Sequence, residues 1–114
     1  MSSPITTHIL DTSLGLPARG VPIALEMQTD NGAFKQLGSG LTNADGRVVD
    51  LLEAGALTPG TYRMRFDTGA YFTQQKTKGF YPYVDVVFQI ESTDQHYHVP
   101  LLLNPFGYST YRGS

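Results

Sequence analysis

The sequence contains no cysteine, which excludes both a disulfide framework and a thiolate metal site. It also has little positive charge, with eight Lys and Arg against ten Asp and Glu and a formal net charge of −2. A nucleic-acid surface needs a basic patch, so this balance argues against nucleic-acid binding. No apolar run approaches the roughly twenty residues that a membrane-spanning helix requires. We therefore expect neither a nucleic-acid partner nor a membrane.

Targeting signals and common catalytic motifs are absent as well. The first eight residues lack the basic and apolar regions of a secretory signal, and the last three residues are not a Ser-Lys-Leu type of peroxisomal address. Together with the lack of cysteine, this predicts a cytoplasmic location. There is no glycine-rich phosphate loop, no paired-carboxylate motif and no Gly-x-Ser-x-Gly elbow. We expect no cofactor.

Short strands and tight turns dominate the pattern of the 114 residues. Twelve Gly and seven Pro are spread along the chain, and apolar residues alternate with polar ones between them. The alternation predicts strands over residues 5–10, 21–29, 34–41, 47–52, 61–68 and 83–91, and two more within 96–114. A single short helix is predicted over 70–77, capped by Asp67 or Thr68 and stopped by Gly79. The expected fold is all-β: one domain, 1–114, forming a two-sheet antiparallel Greek-key sandwich of about eight strands.

The last nineteen residues, 96–114, combine a core strand with chemistry-capable side chains. With a period of two, one face of the first strand is apolar and carries Tyr97, Val99, Leu101 and Leu103. His96 and His98 lie on the other face, where a solvated strand usually carries Thr, Lys or Glu. The chain then ends on an aromatic ring, a cation and a hydroxyl, in the order Tyr111-Arg112-Gly113-Ser114. We expect this terminus to form part of a site.

Two further residues outside the C-terminal segment are candidates for the same site. His8 lies opposite the core face of the first strand, and Arg47 begins a strand directly after an Asp-Gly turn. Taken singly, each could be an ordinary surface residue. His96 and His98 could offer two nitrogens to a metal, but zinc catalysis usually takes three protein ligands and no carboxylate lies at short spacing. A metal is therefore not expected, although the pattern does not exclude one.

Three segments carry a resemblance to a known family. They are Thr-His-Ile-Leu-Asp-Thr at 7–12, Thr-Asn-Ala-Asp-Gly-Arg at 42–47 and Tyr-Ser-Thr-Tyr-Arg-Gly-Ser at 108–114. Together they resemble the transthyretin-like family, and more closely its enzyme branch, the 5-hydroxyisourate hydrolases. The likeness covers essentially the whole chain. Its specific piece is the terminal Tyr-Arg-Gly-Ser, because the hormone-carrier branch shares the preceding Tyr-Ser-Thr but lacks that ending and the two histidines.

The resemblance implies an assembly, a reaction and a set of residue roles. The assembly is a homotetramer of two dimers with continued sheets, whose central channel holds a site at each end, at the dimer–dimer interface. The reaction is hydrolysis of the cyclic amide of 5-hydroxyisourate, a small-molecule intermediate of urate breakdown, without a cofactor. The implied catalytic residues are His8, Arg47, His98 and Ser114, and the implied substrate-binding residues are His8, Arg47 and Tyr111.

Two functions of other classes compete with this one. A carrier would hold a small apolar or aromatic ligand in the same channel, which requires a smooth, apolar and open channel. Here Tyr111 would narrow the channel, and His8, His98 and Arg47 would make it polar. A purely structural sandwich used for adhesion or assembly leaves the composition of the C-terminal segment unexplained.

Overall fold

Nine strands and one helix form in the computed structural model, which describes residues 3–114. The strands are β1 (Ile5–Asp11), β2 (Leu16–Pro17), β3 (Pro22–Gln28), β4 (Phe34–Leu41), β5 (Arg47–Val48), β6 (Gly60–Phe66), β7 (Val84–Ile90), β8 (Tyr97–Asn104) and β9 (Gly107–Thr110), and the helix is α1 (Thr68–Gln74). Most predicted strands are confirmed with ends shifted by one or two residues. Residues 1 and 2, with which the expected domain begins, lie outside the described part.

The strands form two sheets that pack into the expected sandwich. Sheet A has the order β2-β1-β8-β9, with β5 also paired to β1, and sheet B has the order β4-β3-β6-β7. One pair of strands departs from the antiparallel pairing of the expected sandwich. β1 and β8 run parallel, from Ile5 opposite Tyr97 to Asp11 opposite Leu103. A parallel pair needs a long crossover, and here the chain builds all of sheet B before it returns beside β1.

The core lies between the sheets and follows the alternation of the sequence. In β1 every second residue is buried, and in β8 the predicted core face is buried throughout. Fully buried side chains from both sheets include Ile5, Ile9, Leu25, Tyr62, Met64, Phe66 and Leu101. Because successive side chains of a strand point to opposite faces, this packing turns His8 and His98 to the outer face of sheet A.

The predicted strand at 47–52 was wrong in length, since only Arg47–Val48 pair with β1. Beyond Val48 the chain leaves sheet A and crosses to β4. A Cβ placed on Gly38 of β4 would lie 1.9 Å from the carbonyl oxygen of Leu51, so only glycine allows this approach. The backbone N–H of Leu52 donates to Ser3 Oγ at 3.1 Å instead of to a strand. Crossing between the sheets therefore limits β5 to two residues.

Helix α1 begins and ends earlier than the pattern of 70–77 predicted. Asp67 is its N-cap and accepts a hydrogen bond from the backbone N–H of Ala70, as expected. The helix ends at Gln74 and is stopped by Lys76, whose φ is 54°, and not by Gly79. The N–H of Thr77 donates to the carbonyl of Phe72, which makes this end a Schellman motif. Among residues 3–114, no helix is both long and apolar enough to cross a membrane.

A buried hydrogen bond attaches this helix to sheet A. The Tyr71 hydroxyl donates to Asp11 Oδ2 at 2.7 Å, and both side chains are buried. The other oxygen of Asp11 accepts from the backbone N–H groups of Ser13 and Leu14, which fixes the loop after β1. Burial, followed by the bond to Asp11, raises the pKa of Tyr71. The pair therefore connects α1, β1 and that loop through one satisfied polar group.

We expect Tyr71→Phe to lower the free energy of unfolding by about 1.5–3 kcal/mol, the usual contribution of a hydrogen bond to a charged group. The phenyl ring retains the packing of Tyr71, so the loss measures the hydroxyl alone. Urea unfolding at equal protein concentration measures it, with Tyr81→Phe as the control because Tyr81 is on the surface. Equal unfolding midpoints for the two variants would contradict this role.

Candidate active site

Strand register brings three of the predicted site residues to one face of sheet A. His8 of β1 lies opposite Arg47 of β5 on one side and opposite Pro100 of β8 on the other. His98 comes two residues before Pro100 and therefore shares its face. Residues directly opposite in a sheet point to the same side. The structure thus groups His8, Arg47 and His98 on the outer face of sheet A.

His98 has the electrostatic environment of a neutral imidazole. Its side chain is half-buried, and burial is the main cause that lowers its pKa below the usual 6.5. The positive charge of Arg47 adds to this, followed by His96 and His8. Both causes disfavour the imidazolium form. At pH 7 His98 is therefore available as a base or as a neutral hydrogen-bond donor.

A tight turn holds Arg47 at the edge of β1. The Asn43 side-chain oxygen accepts from the backbone N–H groups of Asp45 at 2.9 Å and Arg47 at 3.1 Å. Gly46 has a φ of 73°, which is accessible to glycine and strained for other residues. Its carbonyl accepts from the N–H of Ile9 at 2.8 Å. The turn is therefore fastened to β1 directly beside His8.

The C-terminal segment is attached to β8 at His98. The N–H of Gly113 donates to the carbonyl of His98 at 2.9 Å and forms an isolated bridge. The Arg112 guanidinium lies 4.5 Å from the centroid of the Tyr97 ring and donates to the Gln95 side chain at 2.8 Å. These contacts place Gly113 beside His98 and Arg112 against Tyr97 and Gln95.

Gly113 has a steric role that the sequence pattern did not show. A Cβ at this position would lie 2.6 Å from His98 Cδ2 and 3.2 Å from Pro100 Cγ. The peptide backbone thus packs directly against the imidazole ring, which limits how that ring can turn. The close approach gives a physical reason for glycine between Arg112 and Ser114.

We expect Gly113→Ala to lower catalytic turnover by up to about 10², because a displacement near 1 Å in a reacting group can cost that much. The methyl group must either turn the His98 ring or lift the terminal segment from β8. Steady-state kinetics measure the loss, and Gly107→Ala is the matched control. A Cβ at Gly107 would lie 3.6 Å from its nearest neighbour, the side-chain amide of Asn104, which is ordinary contact. Equal kinetics in the two variants would contradict the argument.

The remaining two predicted residues, Tyr111 and Ser114, are exposed in the single chain. Tyr111 is 57% exposed and lines a cavity of about 160 Å³ between β7 and the C-terminal segment. His98 also borders this cavity, whereas His8 and Arg47 do not. Within residues 3–114, Ser114 makes no side-chain hydrogen bond to His8, Arg47 or His98. One chain therefore does not gather all five residues into one pocket.

The outer face of sheet B differs from that of sheet A in how its arginine charges are paired. Arg63 pairs with Glu26 at 2.7 Å, and Arg65 pairs with Asp85 at 2.7 Å. The two guanidinium groups also lie over the rings of Phe34 and Tyr83. The positive charges of the two arginines on sheet B are thus paired with carboxylates, whereas Arg47 on sheet A lies beside imidazoles. In the described part of the chain, no group of three His, Asp or Glu is placed to hold a metal ion.

Thr6 is the contact residue that sequence reasoning missed. It lies opposite His98, and its hydroxyl oxygen is 2.8 Å from His98 Nδ1 and 3.1 Å from His96 Nε2. Alternation along β1 already placed Thr6 on the face of His8, and that was the available signal. What was missing is the parallel pairing of β1 with β8, which decides the residue opposite His98.

Sequence comparison decides the family. The model of the HIUase/Transthyretin family matches residues 5–113, nearly the whole chain. The chain belongs to this family. It is 50% identical over 113 residues to 5-hydroxyisourate hydrolase of Salmonella typhi, covering 99% of this chain and 82% of that protein. It is 47% identical over 114 residues to 5-hydroxyisourate hydrolase of Mus musculus, covering 99% and 97%.

Solved structures of both branches of the family share the fold. Sea bream transthyretin in complex with thyroxine superposes with a TM-score of 0.93 at 35% identity, covering 97% of this chain and 95% of that one. Klebsiella pneumoniae 5-hydroxyisourate hydrolase superposes with a TM-score of 0.85 at 36% identity, covering 96% and 97%. Backbone similarity thus confirms the sandwich of this HIUase/Transthyretin family member without separating its enzyme and carrier branches.

Proposed function

We propose that this member of the HIUase/Transthyretin family is a 5-hydroxyisourate hydrolase. It opens the cyclic amide of 5-hydroxyisourate with water to yield 2-oxo-4-hydroxy-4-carboxy-5-ureidoimidazoline in urate catabolism, in the cytoplasm. The observation that carries the proposal is the convergence of His8, Arg47 and His98 on the outer face of sheet A. The curated hydrolases to which the chain is similar over nearly its whole length support the same reaction.

The three side chains supply what amide hydrolysis requires. Attack needs a water that loses a proton, and departure of the ring nitrogen needs a proton donor. A neutral imidazole suits the first step and an imidazolium suits the second. His98, whose pKa is lowered, is neutral at pH 7 and can take the proton of the attacking water. His8, on the neighbouring strand, is the second acid–base group.

Arg47 is the group that stabilises the negative charge developing on the substrate oxygen. Its guanidinium carries five N–H donors in a fixed plane and remains charged at any working pH. Its partner across the strands is His8, so the cation borders the imidazoles without a carboxylate opposite it in the register. Arg47 orients the polar edge of the substrate and stabilises the oxyanion of the tetrahedral intermediate. Tyr111 forms the pocket wall, and Ser114 is a polar anchor for the substrate.

A homotetramer completes the site in this proposal. The single chain leaves the cluster on an open sheet face, and hydrolysis benefits from a pocket that excludes bulk water. β7 and β9 are the terminal strands of their sheets, and an edge strand is a ready template for pairing with another copy. Exposed Leu14, Leu16 and Phe106 supply apolar surface for contact between dimers. The channel between dimers would then enclose the outer faces of sheet A.

A spectroscopic assay on freshly generated 5-hydroxyisourate tests the proposal. The decay rate should rise in proportion to protein concentration above the spontaneous rate. An Arg47→Ala/His98→Ala double variant serves as the matched blank because it retains the chain but lacks both groups. A decay rate equal to the spontaneous one at every protein concentration would overturn the proposal. Thyroxine binding by the same sample would then favour the carrier function.

A further inference from the structure

One hydroxyl group bridges the two histidines of the C-terminal half. Thr6 Oγ1 lies within hydrogen-bond distance of both His98 Nδ1, at 2.8 Å, and His96 Nε2, at 3.1 Å. The two imidazole rings are nearly parallel, with centroids 6.4 Å apart and an interplanar angle of 19°. Thr6 therefore contacts a half-buried histidine of the candidate site and an exposed histidine outside it with the same atom.

The chemistry of a hydroxyl restricts how this bridge can be occupied. A threonine side chain has one proton to donate and two lone pairs that accept. It can therefore donate to only one of the two imidazoles, and the other ring must donate to it. If His96 Nε2–H donates to Thr6, then Thr6 donates to His98 Nδ1, and the proton of neutral His98 lies on Nε2. If the direction is reversed, His98 Nδ1–H donates to Thr6, and His98 Nε2 carries the free lone pair that can accept a proton.

The two rings differ in exposure. His96 is exposed, whereas His98 is half-buried and has its pKa lowered by burial, by Arg47, by His96 and by His8, in that order. A His96 ring with hydrogens on both nitrogens can only donate to Thr6. The hydroxyl proton is then free to point to His98 Nδ1, which favours the neutral His98 form with its proton on Nε2.

We propose that Thr6 and His96 are positioning residues that set the tautomer of His98. Donation from His96 to Thr6 favours the His98 form with its proton on Nε2, the form that donates a hydrogen bond through that nitrogen. Donation from Thr6 to His96 gives the reversed bridge, in which His98 Nε2 accepts. The exposed histidine thus adjusts the acid–base character of His98 without contacting substrate. The inference rests on the proposed function only for its effect on catalysis.

The other ionisable groups around His98 enter the expected pH dependence. His8 faces it from β1, Arg47 from β5, and Arg112 and the terminal Ser114 belong to the segment attached to β8. Arg47 is cationic at every accessible pH and so gives a constant effect. Unlike these neighbours, His96 shares a hydroxyl with His98, so the coupling through that hydroxyl can be removed by changing Thr6 alone.

Nitrogen-15 NMR of the histidine rings tests the tautomer without substrate. In the wild-type protein, the tautomer of neutral His98 should respond to the state of His96, with the His98 proton on Nε2 when His96 carries hydrogens on both nitrogens. In Thr6→Val this coupling should disappear, and in Thr6→Ser it should remain. Thr61→Val is the matched control, because Thr61 is a half-buried strand threonine with a side-chain bond on sheet B. A His98 tautomer that titrates identically in wild type and Thr6→Val would overturn the proposal.

Kinetics test the consequence for the reaction. We expect Thr6→Val to lower kcat by about 10- to 100-fold with KM nearly unchanged, the range found for hydrogen-bond partners that orient a metal-ligating imidazole. Thr6→Ser should restore most of the rate.

His96→Phe should raise the acid-side midpoint of the kcat/KM profile, since removal of a neighbouring positive charge raises the pKa of His98. An unchanged kcat and pH profile in Thr6→Val would contradict the effect on catalysis. Absence of any hydrolysis by the wild type would refute the proposed function and leave the NMR result to stand alone.

Discussion

Arg47→Ala and His98→Ala should each lower kcat/KM for 5-hydroxyisourate by at least about 10²–10³, with the assembly unchanged. Loss of one oxyanion donor typically costs that factor, and loss of a general acid–base group costs about 10²–10⁴. Both side chains project from the outer face of sheet A and contribute nothing to the core between the sheets. Their removal should therefore affect the rate much more than the stability.

Steady-state kinetics and size-exclusion chromatography on the same samples separate these effects. Arg65→Ala is the control for loss of a cation, since Arg65 lies on the opposite sheet in a pair with Asp85. It should retain wild-type kinetics. Near wild-type kcat/KM in Arg47→Ala and His98→Ala would refute the assigned roles. Dissociation of the assembly in either variant would instead assign that residue to an interface.

Gly46→Ala should damage both stability and activity, although Gly46 itself has no chemistry. An alanine with a φ of 73° costs about 1–3 kcal/mol. Its Cβ would also lie 2.4 Å from the carbonyl oxygen of Ile9 and 3.1 Å from Pro17 Cβ. Relief of such overlap typically costs another 1–3 kcal/mol. The turn must then move away from β1 and take Arg47 with it, at a cost of about 10² in rate for a displacement near 1 Å.

Gly32→Ala separates the two contributions of Gly46. Gly32 also has a positive φ, 84°, but a Cβ there would meet nothing within 4 Å. It should lose only the conformational part of the stability and none of the activity. Urea unfolding and kinetics on both variants make the comparison. If Gly46→Ala had wild-type kcat/KM, the turn would have no role in placing Arg47.

Fold similarity alone does not decide between enzyme and carrier in this family. The backbone superposes on a thyroxine complex of transthyretin at least as well as on a hydrolase. Function therefore has to be argued from side chains at the site. Binding of an apolar ligand does not require two imidazoles and a guanidinium on the outer face of sheet A. Those groups, and not the sandwich, favour hydrolysis.

The sequence by itself determined which side chains face the core and which face outward. Strict alternation in residues 5–10 and 97–103 was enough to place Ile5 and Leu101 inside and His8 and His98 outside, because the period of a strand is two. The Asp-Gly turn before Arg47 was also predictable, since only a residue tolerant of positive φ fits there. These are local properties, and neighbours along the chain specify them.

Only the tertiary structure decided which strands are adjacent and therefore which outward residues meet. The parallel pairing of β1 with β8 joins residues more than ninety positions apart and places Thr6 against His98. The crossing to sheet B shortened β5 to Arg47–Val48, and the return of the chain end placed Gly113 on the imidazole of His98. No local pattern encodes these contacts, because they follow from how the two sheets share one core.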